Sequence, residues 1–401
     1  MFLIPGVDTK QNERVILFKI DIPSNERPAA IEFLSRACAR LKQLSLIISF
    51  ERNIKAEDES QKPTALFGFS ARFFKGPLTN ERDRIKRALR FNIDRPVPLC
   101  LRQMNAREDN RFPELASQGM ISAKESDILI KLEFSEPEIA DVLLNEFKTL
   151  HGEKKIILKS AYQGFLPKDG MSSLGVKEGI SNLQDMRASQ PDEYKSHIFI
   201  QDGEAGDHAY DGGSYIVFRK YNINVERWSS DSLVIKDNHG KEHYGEKARN
   251  LAMGRSAENS LVIDGKTNKC LEPEFDEKQG VRTFAEAHIK HCNPRGQGST
   301  SFGFPVSVKN VRILRRSFFF KETDPGSGKT IDGLLFLCFQ KDIQKHGFEL
   351  IHNEWLMSQF LGGRDRLLDP ESGIVEPVDG CYYFCPLFSE FPGDVFFDVA
   401  G

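Results

Sequence analysis

The chain has 401 residues, 39% hydrophobic and 28% charged, with a formal net charge of −3. That length suits two domains or one large duplicated one, and the near-neutral balance argues against nucleic acid or an anionic membrane surface as partner. Seven scattered cysteines with no CxxC pair argue against a zinc ribbon or a disulfide framework, and no stretch approaches the length of a membrane span.

The β-branched, alternating run "RVILFKIDI" (Arg14–Ile22) predicts a first strand. "RPAAIEFLSRACARLKQL" follows with Pro28 near its start and apolar residues at Ile31, Leu34, Cys38 and Leu41, a helical period. "TALFGFSARFF" (Thr64–Phe74) and "DILIKLEF" (Asp127–Phe134) read as strands. "EPEIADVLLNEFKTL" reads as a helix with Pro137 in its first turn, and "KIILKSAYQG" as a fourth strand. This β-α-β, β-α-β order is the ferredoxin-like plan, an antiparallel sheet with helices on one face. Leu166 to Gly212 is rich in Gly, Asp and Ser and reads as a long connection. The second half repeats the rhythm: "GSYIVFRKYNI" a strand, "EKARNLAMGR" a helix, "VRILRRSFFF" and "GLLFLCFQKDI" two strands, "GFELIHNEWLMSQFL" a helix and "GCYYFCPLF" a last strand. The expected organisation is an N-terminal half over 1–165, a connection over 166–212 and a C-terminal half over 213–401. Phe, at 31 residues against 8 Tyr and 2 Trp, points to an aromatic-rich core.

Several motifs carry a functional and a structural reading. "DPGSGKT" resembles a phosphate loop, but Thr323 stands where the pattern needs glycine, and the stretch lies between two strands rather than ahead of a helix; it reads as a hairpin turn. Cys381 and Cys385 flank a strand end in poor geometry for one metal and read as small buried hydrophobes. In "GVKEG" (Gly175–Gly179) the glycines flank Glu178 and would let backbone approach a ligand closely. Arg315 and Arg316 lie in a strand, so one is expected to face solvent and the other an internal anion or ligand. "FAEAHIKHCNPRG" places His288 and His291 three apart, roughly on one helical face. As a zinc pair they lack a third and fourth partner at recognised spacing; as a single ligand, one of them needs a large cofactor surface opposite it.

Together these patches resemble the dye-decolorizing (DyP-type) peroxidase family, in its longer-chain cytoplasmic branch. "LGVKEGISN" resembles the family's G-x-x-D-G motif, "GGSYIVFRKYNI" its Gly-Ser-Tyr strand, and "AMGR" its Gly-Arg helix end. "EAHIKHCNPRG" resembles the A-H-I-R-x-x-N-P-R block and "ILRRSF" its distal arginine segment. The resemblance runs through most of the second half and weakly through the first. It implies an α+β fold of two ferredoxin-like halves of the dimeric α/β-barrel-like superfamily, with haem b held by the C-terminal half.

It also implies roles. His288 is the proximal iron ligand, while His291 falls where the family varies and is expected to be a bystander, near a propionate or in solvent. Arg315 stabilises developing negative charge on peroxide, and Leu334 and Phe336 keep the distal pocket dry. Gly179 and Ser317 border the cofactor, with the Ser317 hydroxyl near a distal water. Glu178 stands where the family uses aspartate as distal base, and its extra methylene displaces the carboxylate by roughly an ångström. The loop also reads "ISNL" where the related branch has a proline.

The implied activity is a haem peroxidase that uses hydrogen peroxide to oxidise bulky phenolic or dye-like donors through a ferryl intermediate. Surface aromatics such as Trp228 or Trp355 would relay electrons. The alternative is a haem-binding protein or specialised haem oxidase with weak or altered peroxidase activity. A homo-oligomer in the cytoplasm is expected.

Overall fold

The computed structural model describes residues 13–22, 47–48, 64–75, 98–101, 126–135, 137–153, 156–177, 180, 186–206, 208–271, 282–294, 310–324, 326–356 and 363–386. The chain is α+β, built on antiparallel strands that close into a barrel. The first half supplies β1 (Arg14–Asp21), β2 (Thr64–Ser70), β3 (Ile128–Phe134) and β4 (Ile157–Phe165), hydrogen-bonded in the order β4-β1-β3-β2. The second half supplies β5 (Ser214–Ile223), β6 (Phe318–Thr323), β7 (Thr330–Gln340) and β8 (Val375–Cys385), in the order β8-β5-β7-β6. Each half therefore has the same strand order, the ferredoxin-like one. β8 meets β2 through Tyr383 opposite Ser70, and β6 meets β4 through Phe319 opposite Phe165, which closes the barrel.

Closure explains why β1 is buried from Val15 to Asp21 rather than alternating in exposure. Ile16, Phe18 and Ile20 face outward beneath helix α1 (Pro137–Gly152), where Phe18 stacks on Phe147 with ring centroids 3.9 Å apart. Val15 and Leu17 face inward with Leu129, Phe218, Phe318, Leu335, Leu337 and Phe339. Tyr194 and Ile198, from a helix over Pro191–Ile198 inside the expected long connection, pack on that inner cluster. Cys381 and Cys385 are also inside and buried, as small hydrophobes.

The barrel interior holds charge as well, in paired groups. Lys19 pairs with Asp379 at 2.7 Å, and the Tyr162 hydroxyl donates to the same carboxylate at 2.6 Å. Glu133 is paired with both Lys131 and Arg316. Lys220 is paired with Glu322.

Several expected elements differ in detail. The strand predicted over Thr64–Phe74 ends at Ser70, whose hydroxyl accepts the Phe73 N–H at 3.3 Å and starts the short helix Ala71–Lys75. "VRILRRSFFF" forms two pieces, Leu314–Arg315 and β6. Both pair with β7, and the ladder breaks where the Ser317 hydroxyl takes the Leu337 N–H at 3.5 Å in place of a backbone carbonyl. The predicted helix in 347–361 is π-helical over Leu350–Leu356. "DPGSGKT" is the β6–β7 turn, with the Asp324 carboxylate accepting from the Gly326 and Ser327 amides. The helix expected around Cys38 lies outside the described residues. No helix among the described residues is long and apolar enough to cross a membrane.

Candidate haem-binding site

The outer face of the second half carries a third apolar cluster. Tyr221 and Ile223 of β5 join Trp228, Leu174, Val176 and residues of helix α2 (Gly245–Met253), with Leu334, Phe336 and Ile289 partly buried against them. Side chains two apart on a strand share a face, which places Leu334 and Phe336 together on β7. Arg315 lies opposite Cys338 and so shares that outer face, while Arg316 turns inward. Arg315 is half-buried and donates through Nη2 to the Ile180 carbonyl at 2.9 Å. Arg316 is the inward arginine, buried on the Glu133 carboxylate as an inward-facing arginine requires, while Arg315, which alternation would then send to solvent, is instead half-buried. Ser317 uses its hydroxyl on the Leu337 amide.

His288 opens the five-residue helix α3 (His288–Cys292), set directly against α2. The contact is made at Gly254, in the left-handed conformation with φ +82°, where a Cβ would come within 2.8 Å of Ala287 and Ile289. Only glycine satisfies both the backbone angle and the close approach.

The His288 ring donates through Nδ1 to Asp365 Oδ2 at 2.7 Å. Asp365 is fully buried, and its other oxygen accepts the Leu368 amide at 2.9 Å. The His288 side chain keeps 26% of its surface exposed. With the Nδ1 proton committed to the carboxylate, the lone pair sits on Nε2. A neutral imidazole backed by a carboxylate is a strong single ligand, fixed in tautomer and orientation. Sequence reading left the partner of His288 unnamed: Asp365 is 77 positions away, in "GGRDRLLDP", with no spacing to mark it.

His291 is not a solvent-facing bystander. It is fully buried, with Nδ1 2.6 Å from the Trp355 carbonyl and Nε2 2.7 Å from the Ala285 carbonyl. Burial pushes its pKa below the usual imidazole value, against the pull of Asp365 and the two carbonyls. A ring with both nitrogens on carbonyls offers no lone pair to a metal. With both His291 nitrogens on backbone carbonyls, the two histidines do not converge as a zinc pair. One imidazole ligand suits a metal carried within its own macrocycle.

Trp228 and Trp355 are also inside, at 3% and 1% exposure, which corrects their expected surface placement. The Trp228 indole donates to the Leu174 carbonyl at 2.9 Å, bracing the loop that leads into "GVKEG". The Ser260 hydroxyl accepts the Lys177 amide at 2.8 Å on the same loop, and Ser260 itself holds a strained φ of +59°. Glu178 and Gly179 lie outside the described residues.

Residues 172–390 match the family described as "Dyp-type peroxidase, C-terminal". The chain belongs to the Dyp-type peroxidase family. The Deferrochelatase of Escherichia coli O157:H7 is 24% identical over 212 residues, 53% of this chain and 41% of that protein. The match thus spans less than half the length of this curated relative. A DyP-type peroxidase from Cellulomonas bogoriensis superposes with a TM-score of 0.60 at 18% identity, covering 99% of this chain and 96% of its own. A Rhodococcus jostii RHA1 DypB variant, solved in complex with heme, gives 0.60 at 16% identity over 98% of each chain. At these identities the superpositions establish the fold. The matched Dyp-type region takes in His288, Asp365, Arg315, Leu334 and Phe336, and so the whole outer-face cluster built on β5 and β7.

Proposed function

We propose that this chain is a haem-dependent peroxidase that uses hydrogen peroxide to oxidise bulky phenolic or dye-like donors, with haem b held by the C-terminal half. The observation that carries the reading is the buried Asp365 carboxylate behind a partly exposed His288. Bound haem supplies an iron centre that accepts peroxide and passes oxidising equivalents on. The chain's residues do the rest. His288 Nε2 would hold the haem iron, and Asp365 would keep the Nδ1 proton and fix the ring's orientation. The Arg315 guanidinium would stabilise negative charge developing on peroxide oxygen. Leu334 and Phe336 exclude water from that side. Glu178, where the family places aspartate, would serve as the base for the peroxide proton. Donor, assembly into homo-oligomers and a cytoplasmic location are part of the same reading.

Glutamate at 178 favours a second reading, a haem-binding protein or specialised oxidase with altered peroxidase chemistry. One extra methylene sets a glutamate carboxylate roughly an ångström farther from its backbone than an aspartate's, and misplacement of that order can cost about a hundredfold in rate. The test is the absorption spectrum of haem-loaded protein before and after one equivalent of hydrogen peroxide, for the wild type, His288→Ala and Glu178→Asp. A Soret band that needs His288 and responds promptly to peroxide supports the peroxidase. A His288-dependent band that peroxide leaves unchanged until Glu178→Asp is introduced supports the second reading. No Soret band removes both.

A further inference from the structure

We propose that His291 is a positioning residue for the His288–Asp365 pair, fixing the ring that would hold haem iron; the proposal rests on the haem reading above. Three hydrogen bonds and two short runs of chain close a ring around the pair. His291 Nδ1 meets the Trp355 carbonyl at 2.6 Å. The next carbonyl along, that of Leu356, accepts the Asp365 amide at 3.1 Å. Asp365 then accepts from His288 at 2.7 Å. One helical turn of α3 returns from His288 to His291.

The other nitrogen of His291 meets the Ala285 carbonyl at 2.7 Å, just ahead of α3. The Arg366 amide, one residue past Asp365, reaches back to the Glu286 carbonyl at 3.1 Å. The segment entering α3 and the segment carrying Asp365 are thus clamped at two points on either side of the His288–Asp365 bond. Carbonyl oxygens only accept, so His291 bridges as a donor. A neutral ring donates to one of the two carbonyls and a protonated ring to both; of the two, the Nδ1 contact is the one that ties α3 to Trp355, beside the Leu356 carbonyl that holds the Asp365 amide.

The consequence is chemical as well as structural. The strength of the His288–Asp365 hydrogen bond sets how much electron density the ring passes to iron. A shift of Asp365 by a few tenths of an ångström alters that bond without unfolding anything.

The test compares haem-loaded wild type, His291→Leu, His291→Gln and His288→Ala. The readouts are the Soret band, the iron–histidine stretching band of the ferrous protein, the haem dissociation rate and the melting temperature of the haem-free chains. His291→Leu is expected to bind haem but show a lowered, broadened iron–histidine band and release haem about tenfold faster, the low end of the loss seen when such supporting partners are removed. His291→Gln, which keeps an N–H donor, is expected to fall between it and the wild type. An unchanged band and dissociation rate in His291→Leu, with only its melting temperature lowered, would overturn the proposal. If His291→Leu does not fold, an unshifted band in His291→Gln overturns it instead. Failure of the haem reading is distinguishable: the wild type then gains no Soret band, or His288→Ala keeps it in full, and the proposal falls with it.

Discussion

Arg316 crosses the barrel interior to Glu133 at 3.1 Å, tying the β7-paired edge of one half to β3 of the other. Both side chains are almost completely buried, at 3% and 0% exposure. Lys131 shares the same carboxylate.

Removing that carboxylate strands two buried cations. Glu133→Ala is expected to cost about 3–5 kcal/mol, the range for breaking a buried ion pair by deleting one partner. Denaturant unfolding of the variant, compared with Glu133→Ala combined with Arg316→Met and Lys131→Met, checks this. The triple variant is expected to regain much of the loss, because the unpaired charges are gone.

Burial lowers the Lys131 pKa to about 8 from an ordinary 10.5, with Glu133 opposing the shift. The folded chain therefore holds this proton less tightly than the unfolded one. Between pH 8 and 10.5 the unfolded state carries more protons, so this group makes stability rise with pH across that window. Below pH 8 both states are protonated and its slope vanishes. Unfolding free energies from pH 7 to 10 are expected to show this rising contribution in the wild type and lose it in Lys131→Met.

Asp365→Asn removes the charge behind His288 while preserving shape. Haem affinity is expected to fall by about 10–100-fold, the usual effect of losing the partner of a ligating histidine. Competition for haem against an apo-globin measures it; unchanged affinity would mean that the 2.7 Å bond does not bear on the ligand.

Gly254→Ala is expected to destabilise the chain by at least about 1 kcal/mol, since alanine resists the left-handed backbone. The new Cβ also presses on Ala287 and Ile289. A lowered melting temperature with a perturbed Soret band would show both effects, whereas Gly240→Ala, equally left-handed but with nothing within 4 Å, should lower only the melting temperature.

The halves were legible because β-branched runs and turn signals recur along the chain, and each of the eight barrel strands overlaps a predicted run, although β8 begins at Val375, well ahead of its run from Gly380, and β6 continues to Thr323, into the predicted turn. The break at Ser317 was not, since a hydroxyl replacing a carbonyl in a ladder leaves no periodic trace. His288 stood out through its motif, but Asp365 did not: a carboxylate becomes a partner only when distant chain folds against it. The fate of His291 was invisible for a related reason. Backbone carbonyls are present at every residue, so sequence cannot say which ones a buried ring will find. Arg316 was half legible, because alternation sends one of two adjacent arginines inward, yet nothing local names Glu133 as its acceptor.

The two seams of the barrel are narrow, while the ladders inside each half run the length of their strands. Among the described residues, two buried ion pairs span the halves: Lys19 with Asp379 and Glu133 with Arg316. Apolar side chains alone resist a two-residue slip weakly, because it restores the same alternation of faces. Buried charges resist it strongly, because a slipped joint leaves each without its counter-ion. The closure therefore proof-reads itself: only the correctly seated pair of halves neutralises its own interior, and a misassembled chain is penalised before any cofactor arrives.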